Sequence, residues 1–365
     1  MRKLFLNDSF NNSKIETKLS KVICQIPFNE FHIYRDGYVS NCCFNWLPTE
    51  VGNIHQNSLL EILKSKIQIE IQNSVQNGKY NFCSSDYCPF LNNYANTNFH
   101  EWPLASHEKF KKIHSNYLIK NIKIYLSFDY SCNLFCESCR NEKIYFDKTT
   151  APELLLKTYD RVNEQIQELV QAGYNLEINV TGSGDAFASP LYYEFMKNLP
   201  ETDQITLHLS TNGLMMTEKK LDVSFKNKIK KIFISIDSCT DEIYAKVRRG
   251  GQFKYLAANL FALDKMISDG KLPNLDCVQY NFIVQTENYQ EMGDFVDWCY
   301  QFKNFQNIFF TKILDWQHLT KEQFFKKEIW NSQHPEHQNF LKVMRDHRLE
   351  KNKVSLGNLS EYRNR

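Results

Sequence analysis

The sequence predicts an α/β protein: a partial (β/α)6 TIM-like barrel preceded by a small cysteine-rich domain. Three observations carry that expectation. From about residue 120 onward, short apolar runs of strand character alternate with longer stretches of helical period. Residues 1–115 read differently, because Gly37, Gly52 and Gly78 punctuate short segments and Cys24, Cys42, Cys43, Cys83 and Cys88 collect there. The chain has 365 residues, 42% hydrophobic and 24% charged, enough for a sizeable core and for two or three domains.

Strands are expected at 123–128, 176–180, 205–210, 231–236, 280–284 and 307–313, and helices at 152–172, 191–199, 255–268 and 291–302. The first helix has Leu155, Tyr159, Val162, Ile166 and Leu169 at helical spacing. Barrels built this way collect their chemistry at the C-terminal ends of the strands. Beyond Asp315 the chain turns polar and aromatic, with helical patches at 322–329 and 337–345 and a strand-like run at 353–356. Pro335 sets His334 to His337 in a surface turn, since proline breaks an ordinary helix. The domains expected are 1–115, 116–315 and a tail of 316–365.

Charge excludes some functions. The net charge is +2 and the pI about 7.9, with no footprint of a nucleic-acid or membrane-surface binder. No apolar run reaches the roughly 20 residues that span a bilayer. The basic start at 1–8 lacks the apolar core of a secretory signal. A cytoplasmic protein is expected, with cysteines reduced and available to metals or catalysis.

The most specific motif follows the first expected barrel strand. Ser131-Cys132-Asn133-Leu134-Phe135-Cys136-Glu137-Ser138-Cys139-Arg140 sets Cys132, Cys136 and Cys139 at spacing C-x3-C-x2-C. Thiolates are the ligands of iron–sulfur clusters, and three on one loop can grip three corners of a cubane. The fourth iron is then open to a substrate or cofactor. Structural zinc is the competing reading, but it is four-coordinate and closed. Here the next cysteine is Cys239, and no histidine lies between Cys139 and His208.

This loop resembles the signature of the radical S-adenosylmethionine (SAM) enzymes. The resemblance implies a [4Fe–4S] cluster whose open iron is chelated by the amine and carboxylate of SAM. One electron then cleaves the sulfonium to a 5′-deoxyadenosyl radical that abstracts a substrate hydrogen. Where many members carry an aromatic before the third cysteine, this chain has Ser138.

Further stretches resemble the family's cofactor contacts. Gly182-Ser183-Gly184-Asp185, after the second strand, resembles the Gly-Gly-Glu-like turn that receives the methionyl amine. Ser210-Thr211-Asn212-Gly213, after the third, matches a position beside the ribose and methionyl group. Ser235 and Asp237, two apart on the fourth strand, face one side, where a ribose or substrate hydroxyl would satisfy them. Tyr244 to Gly250 resembles the family's Tyr-x-x-x-Arg-x-Gly, which implies that Arg248 pairs with the cofactor carboxylate. Asn288 and Glu291 match an Asn-x-x-Glu-Met stretch. Cys239 is read either as a catalytic hydrogen-atom donor or as a small buried thiol.

The N-terminal cysteines resemble, element by element, the auxiliary cluster domains called SPASM or twitch, although in most relatives that domain follows the barrel. The resemblance implies a second [4Fe–4S] cluster on Cys24, Cys42, Cys83 and Cys88, with Cys43 as the spare; four cysteines also suit zinc. The family further implies a flavodoxin- or ferredoxin-type electron donor. The substrate stays open between a peptide or protein side chain and a small molecule such as a sugar. A zinc-stabilised, non-catalytic barrel serving as a protein-binding scaffold is the alternative.

Overall fold

The computed structural model describes residues 19–84, 87–91, 103–114, 120–315 and 318–363. The start at 1–8 and the expected boundary at 115–116 lie outside the described residues. The chain divides into two compact units, 1–129 with 151–182 and 200–206, and 130–150 with 183–199 and 207–365.

In the first unit, β1 (Val22–Cys24) pairs antiparallel with β5 (Leu104–Ser106). A short helix, α1 (Ile26–Asn29), leads into β2 (Glu30–Tyr34), β3 (Tyr38–Ser40) and β4 (Gly52–Asn53). Next come α2 (Leu59–Ile62), α3 (Lys66–Gln76) and α4 (His107–Ile113). The barrel strands of this unit are β6 (Asn121–Ser127) and β7 (Asn175–Val180), joined through α5 (Glu153–Gln171). Their order is β7-β6-β2-β3-β4, with β7, β6 and β2 parallel and β3 and β4 antiparallel. Sequence reading places no strand at 30–34. The structure makes β2 a parallel neighbour of β6, so the cysteine-rich segment extends the barrel sheet. The same segment packs on α5, with Arg161 Nε donating to the Ile54 carbonyl at 2.9 Å and Leu59 N–H to Gln165 Oε1 at 2.5 Å.

The second unit holds β8 (Ile205–Thr211, from Leu207), β9 (Ile229–Ser235), β10 (Cys277–Val284), β11 (Asn307–Lys312) and β12 (Val354–Ser355). They form a parallel sheet in the order β12-β11-β10-β9-β8. Crossovers run through α6 (Pro190–Lys197), α7 (Glu218–Leu221), α8 (Asp241–Val247), α9 (Phe253–Ser268) and α10 (Met292–Cys299). The tail carries α11 (Lys321–Phe325) and α12 (His337–Val343). All six expected barrel strands form, and the fold is the α/β architecture of a partial barrel with a small cysteine domain before it. One detail of the tail differs from the sequence reading. His334 and His337 are buried, and His337 Nδ1 bonds the Ile329 carbonyl at 3.1 Å.

Candidate functional site

β6 feeds directly into the cysteine loop. The loop is pinned by backbone bonds, Cys132 N–H to the Ile144 carbonyl at 2.8 Å and Cys139 and Arg140 N–H to the Cys136 carbonyl, both at 2.9 Å. Phe135 is held by Arg249, whose carbonyl takes its N–H and whose guanidinium lies 5.3 Å from its ring centroid. Cys132 and Cys136 are buried with Leu134, and Cys139 is exposed.

Each of the three sulfurs meets an N–H donor. Leu134 N–H and Asn212 Nδ2 approach Cys132 Sγ at 3.4 and 3.6 Å, Arg248 Nη1 approaches Cys136 at 3.9 Å, and Arg140 Nε approaches Cys139 at 3.4 Å. Such donors favour thiolates. Opposing them, burial and then the nearby Asp185 charge push Cys132 up to about 12, and burial raises Cys136 despite Arg248. Left alone, these thiols keep their protons; a cationic group binding them must displace the protons.

Past β7, Gly182 donates its N–H to the Leu126 carbonyl at 2.7 Å, and a Cβ there would meet Ser127 Oγ at 1.8 Å, so only glycine fits. Gly184 takes a positive φ of 74°, which a side chain disfavours. Ser183 lies half-buried between them. Asp185 is 1% exposed and its carboxylate is saturated. Oδ1 accepts from Phe187 and Ala188 N–H at 3.0 and 2.9 Å, and Oδ2 from Thr211 Oγ1 and Asn212 N–H at 2.9 and 2.7 Å. Asp185 therefore ties the turn after β7, which is expected to receive the methionyl amine, to the end of β8. The Ser210 carbonyl joins the same seam through Ala186 N–H at 3.4 Å. Asn212 Nδ2 also bonds Asn133 Oδ1 at 2.9 Å, which sequence reading did not single out.

Ser235 ends β9 half-buried, opposite Asn281. Asp237 follows at φ 66°, 2% exposed. Its carboxylate pairs with Arg248 Nη2 at 2.6 Å and accepts from Ile283 N–H at 2.8 Å. Arg248 thus has an internal counter-ion, while its buried Nε finds no acceptor among the described residues. Asn288 pins the turn through the Asp237 carbonyl at 2.9 Å, and Glu291 accepts from Ser238 Oγ at 2.6 Å, Cys239 N–H at 3.2 Å and Thr240 Oγ1. Cys239 belongs to this second neighbourhood, where burial and then Glu291 push its thiol up to about 12.

The N-terminal cysteines converge as well. Cys24, Cys42, Cys83 and Cys88 line one apolar cavity walled by Ile26, Trp46, Leu47, Tyr80 and Leu91, and Cys43 is not among its walls. Pairing of β1 with β5 brings in Cys24, and backbone bonds from Cys83 N–H to the Tyr80 carbonyl (2.9 Å) and Cys88 N–H to the Ser84 carbonyl (3.0 Å) hold the turns that carry Cys83 and Cys88. Burial raises the thiol pKa of all four. Among the described residues no three His, Cys, Asp or Glu side chains are gathered tightly enough to hold a single metal ion.

A third feature escaped sequence reading although its pattern was in view. Parallel strands covered on both faces read as continuous apolar runs, yet β2, β6 and β7 alternate. Phe31, Ile33, Ile122, Ile124, Leu126, Leu176, Ile178 and Val180 are buried on one face. The other is a polar grid, Glu30–Lys123–Glu177 in one row and His32–Tyr125–Asn179 in the next. Lys123 Nζ lies 3.7 Å from Glu30 and 4.0 Å from Glu177, and the His32 and Tyr125 rings stack at 4.3 Å. Burial pushes Glu30 up to about 7 and His32 down to about 4. Among the described residues Glu30 Oε1 and Asn179 Nδ2 find no hydrogen-bond partner.

Comparison with known proteins gives two family matches, the Radical SAM superfamily over residues 126–299 and an iron–sulfur cluster-binding domain, SPASM, over residues 24–89. A GTP 3′,8-cyclase of Alkaliphilus metalliredigens is 31% identical over 172 residues, 46% of this chain and 48% of that protein. One from Clostridium perfringens strain SM101 is 24% identical over 183 residues, 48% of this chain and 51% of its own length. The chain thus spans about half the length of the curated relatives it matches. Similar solved structures include a radical SAM methyltransferase from Sphaerobacter thermophilus (TM-score 0.35, 12% identity, 62% of each chain). Another is HydG, a maturase of the [FeFe]-hydrogenase (TM-score 0.36, 13% identity, 62% of this chain and 49% of that one).

Proposed function

Because the chain belongs to the radical SAM superfamily and carries an iron–sulfur cluster-binding SPASM domain ahead of its barrel, we propose that it is an enzyme with two [4Fe–4S] clusters. Cys132, Cys136 and Cys139 hold the first, leaving one iron to SAM. Cys24, Cys42, Cys83 and Cys88 hold the second, auxiliary one. The observation that carries the reading is the loop: three sulfurs between Cys132 and Cys139, each met by an N–H donor. A cubane takes thiolates spread around its corners.

When bound, the cluster and SAM supply a one-electron cleavage that generates a 5′-deoxyadenosyl radical. The chain's own residues bind and orient. Asn212 and Arg248 steady Cys132 and Cys136, and Asp237 fixes Arg248. The buried Arg248 Nε, with no acceptor among the described residues, suits a cofactor carboxylate. Gly182, Ser183 and Gly184 offer backbone for the amine, and Ser210 and Ser235 offer hydroxyls, while Asp185 positions the turn they share. Cys239, its N–H on Glu291, acts as a small structural thiol.

Peptide or protein side chains, sugars and, from the likeness to the cyclases, GTP are the substrates to test. A flavodoxin- or ferredoxin-type protein delivers the electron. None of the eleven cysteines is in a disulfide, in keeping with a reducing cytoplasm, and among the described residues no helix is long and apolar enough to cross a membrane. The test is anaerobic reconstitution, dithionite reduction and addition of SAM. The proposal expects 5′-deoxyadenosine without added substrate; a colourless, zinc-loaded protein that leaves SAM intact refutes it.

A further inference from the structure

The tail beyond β11 reaches the cysteine loop. α11 opens with a capping box between Thr320 and Gln323, and Lys327 follows its end, its N–H on the Phe324 carbonyl at 2.9 Å. The Lys327 side chain is only 7% exposed. Its ammonium pairs with Glu137 at 3.1 Å, inside the cysteine loop, and with Glu287 at 2.5 Å, in the turn after β10. A second contact fastens the same residue, His318 Nε2 to the Glu137 carbonyl at 2.6 Å. On the far side, His334 Nε2 lies 3.3 Å from both the Lys326 carbonyl and Thr286 Oγ1, and Tyr289 donates to Glu336 at 2.8 Å.

A lysine is seldom buried unless paired, and surface pairs are worth little. This one is buried against a carboxylate lying between Cys136 and Cys139. We infer that Lys327 is a positioning residue for the cluster loop, and that its charge also eases reduction of the cluster which Cys132, Cys136 and Cys139 hold. The inference rests on the proposed cluster reading. Its physical basis is twofold. The ammonium fixes the Glu137 segment, as outer-shell partners fix metal ligands. Reduction adds negative charge to the cluster, and a buried cation close by stabilises that charge more than one in water does.

The two effects separate by sign. Lys327→Met removes a positive charge and Glu137→Gln a negative one, yet both break the same contact. The experiment is a redox titration of the full-length reconstituted protein, following the EPR signal that changes when SAM is added, which distinguishes this cluster from the auxiliary one. Lys327→Met is expected to lower the potential, Glu137→Gln to raise it, and Lys327→Arg to stay near wild type. Iron loss to a chelator should quicken roughly tenfold in Lys327→Met, the low end for losing an outer-shell partner. Potentials that shift in the same direction in both charge variants, or not at all, overturn the inference alone. Should Lys327→Met fail to fold, Glu137→Gln still decides through the direction of its shift. A wild-type protein without iron overturns the cluster reading and this inference together.

Discussion

Glu30→Gln tests whether the polar grid is kept for function at the expense of stability. Glu30 is 4% exposed, and its carboxyl is raised from 4.5 to about 7 by burial, with Lys123 opposing and Glu177 adding to the shift. A folded-state pKa above the unfolded value means the fold favours the protonated acid. That contribution is fully present below about pH 4.5 and is lost as pH rises through about 7. One pKa unit is about 1.4 kcal/mol, so above pH 7 the ionised carboxylate costs on the order of 3 kcal/mol relative to its neutral form. Glutamine resembles that neutral form in shape and charge. Urea unfolding should therefore show Glu30→Gln stabilised by up to about 3 kcal/mol at pH 8 and close to wild type at pH 4.5. Equal destabilisation at both pH values would refute the reasoning, because it would mean that Glu30 is ionised throughout and held by Lys123. A gain in stability with a loss of turnover would mark the carboxylate as functional.

Asp185→Ala strips an acceptor from four buried donors and should cost at least about 3 kcal/mol in urea unfolding, with weakened SAM binding by EPR. Arg248→Met leaves Asp237 buried and unpaired, a loss of about 3–5 kcal/mol; adding Asp237→Asn should recover much of it, and Arg248→Lys only part, since lysine lacks the fork. For the cluster-free protein, Cys132 is raised to about 12 by burial, and Cys24, Cys42 and Cys136 are raised too. The folded state thus binds more protons than the unfolded one above about pH 8.5, and stability should fall from there towards pH 11 in a melting series.

The barrel strands were readable because each is a local pattern: Ile122, Ile124 and Leu126 alternate within one run, and Leu155 to Leu169 repeat at helical spacing. The cysteine loop was readable because its three donors are adjacent in sequence. What escaped depends on distant pairing. Glu30–Tyr34 is short, and its partner β6 lies some ninety residues on, so no window around it reveals the pairing or the face on which Glu30 ends up. Asp185 carries a family-like position, but its saturation comes from Thr211 and Asn212. Asp237 and Arg248 lie eleven residues apart, and no local pattern in the sequence shows that they pair with each other. Lys327 had no signal at all, since nothing local says that an exposed-looking lysine is buried against Glu137.

Iron analysis across the two cysteine sets tests the central claim most directly. Anaerobically reconstituted wild type should carry about eight irons per chain, and both Cys24→Ala/Cys83→Ala and Cys132→Ala/Cys136→Ala/Cys139→Ala about four. Only the second variant should lose 5′-deoxyadenosine formation completely. Zinc in place of iron, or a triple variant that keeps all its iron, would contradict the account.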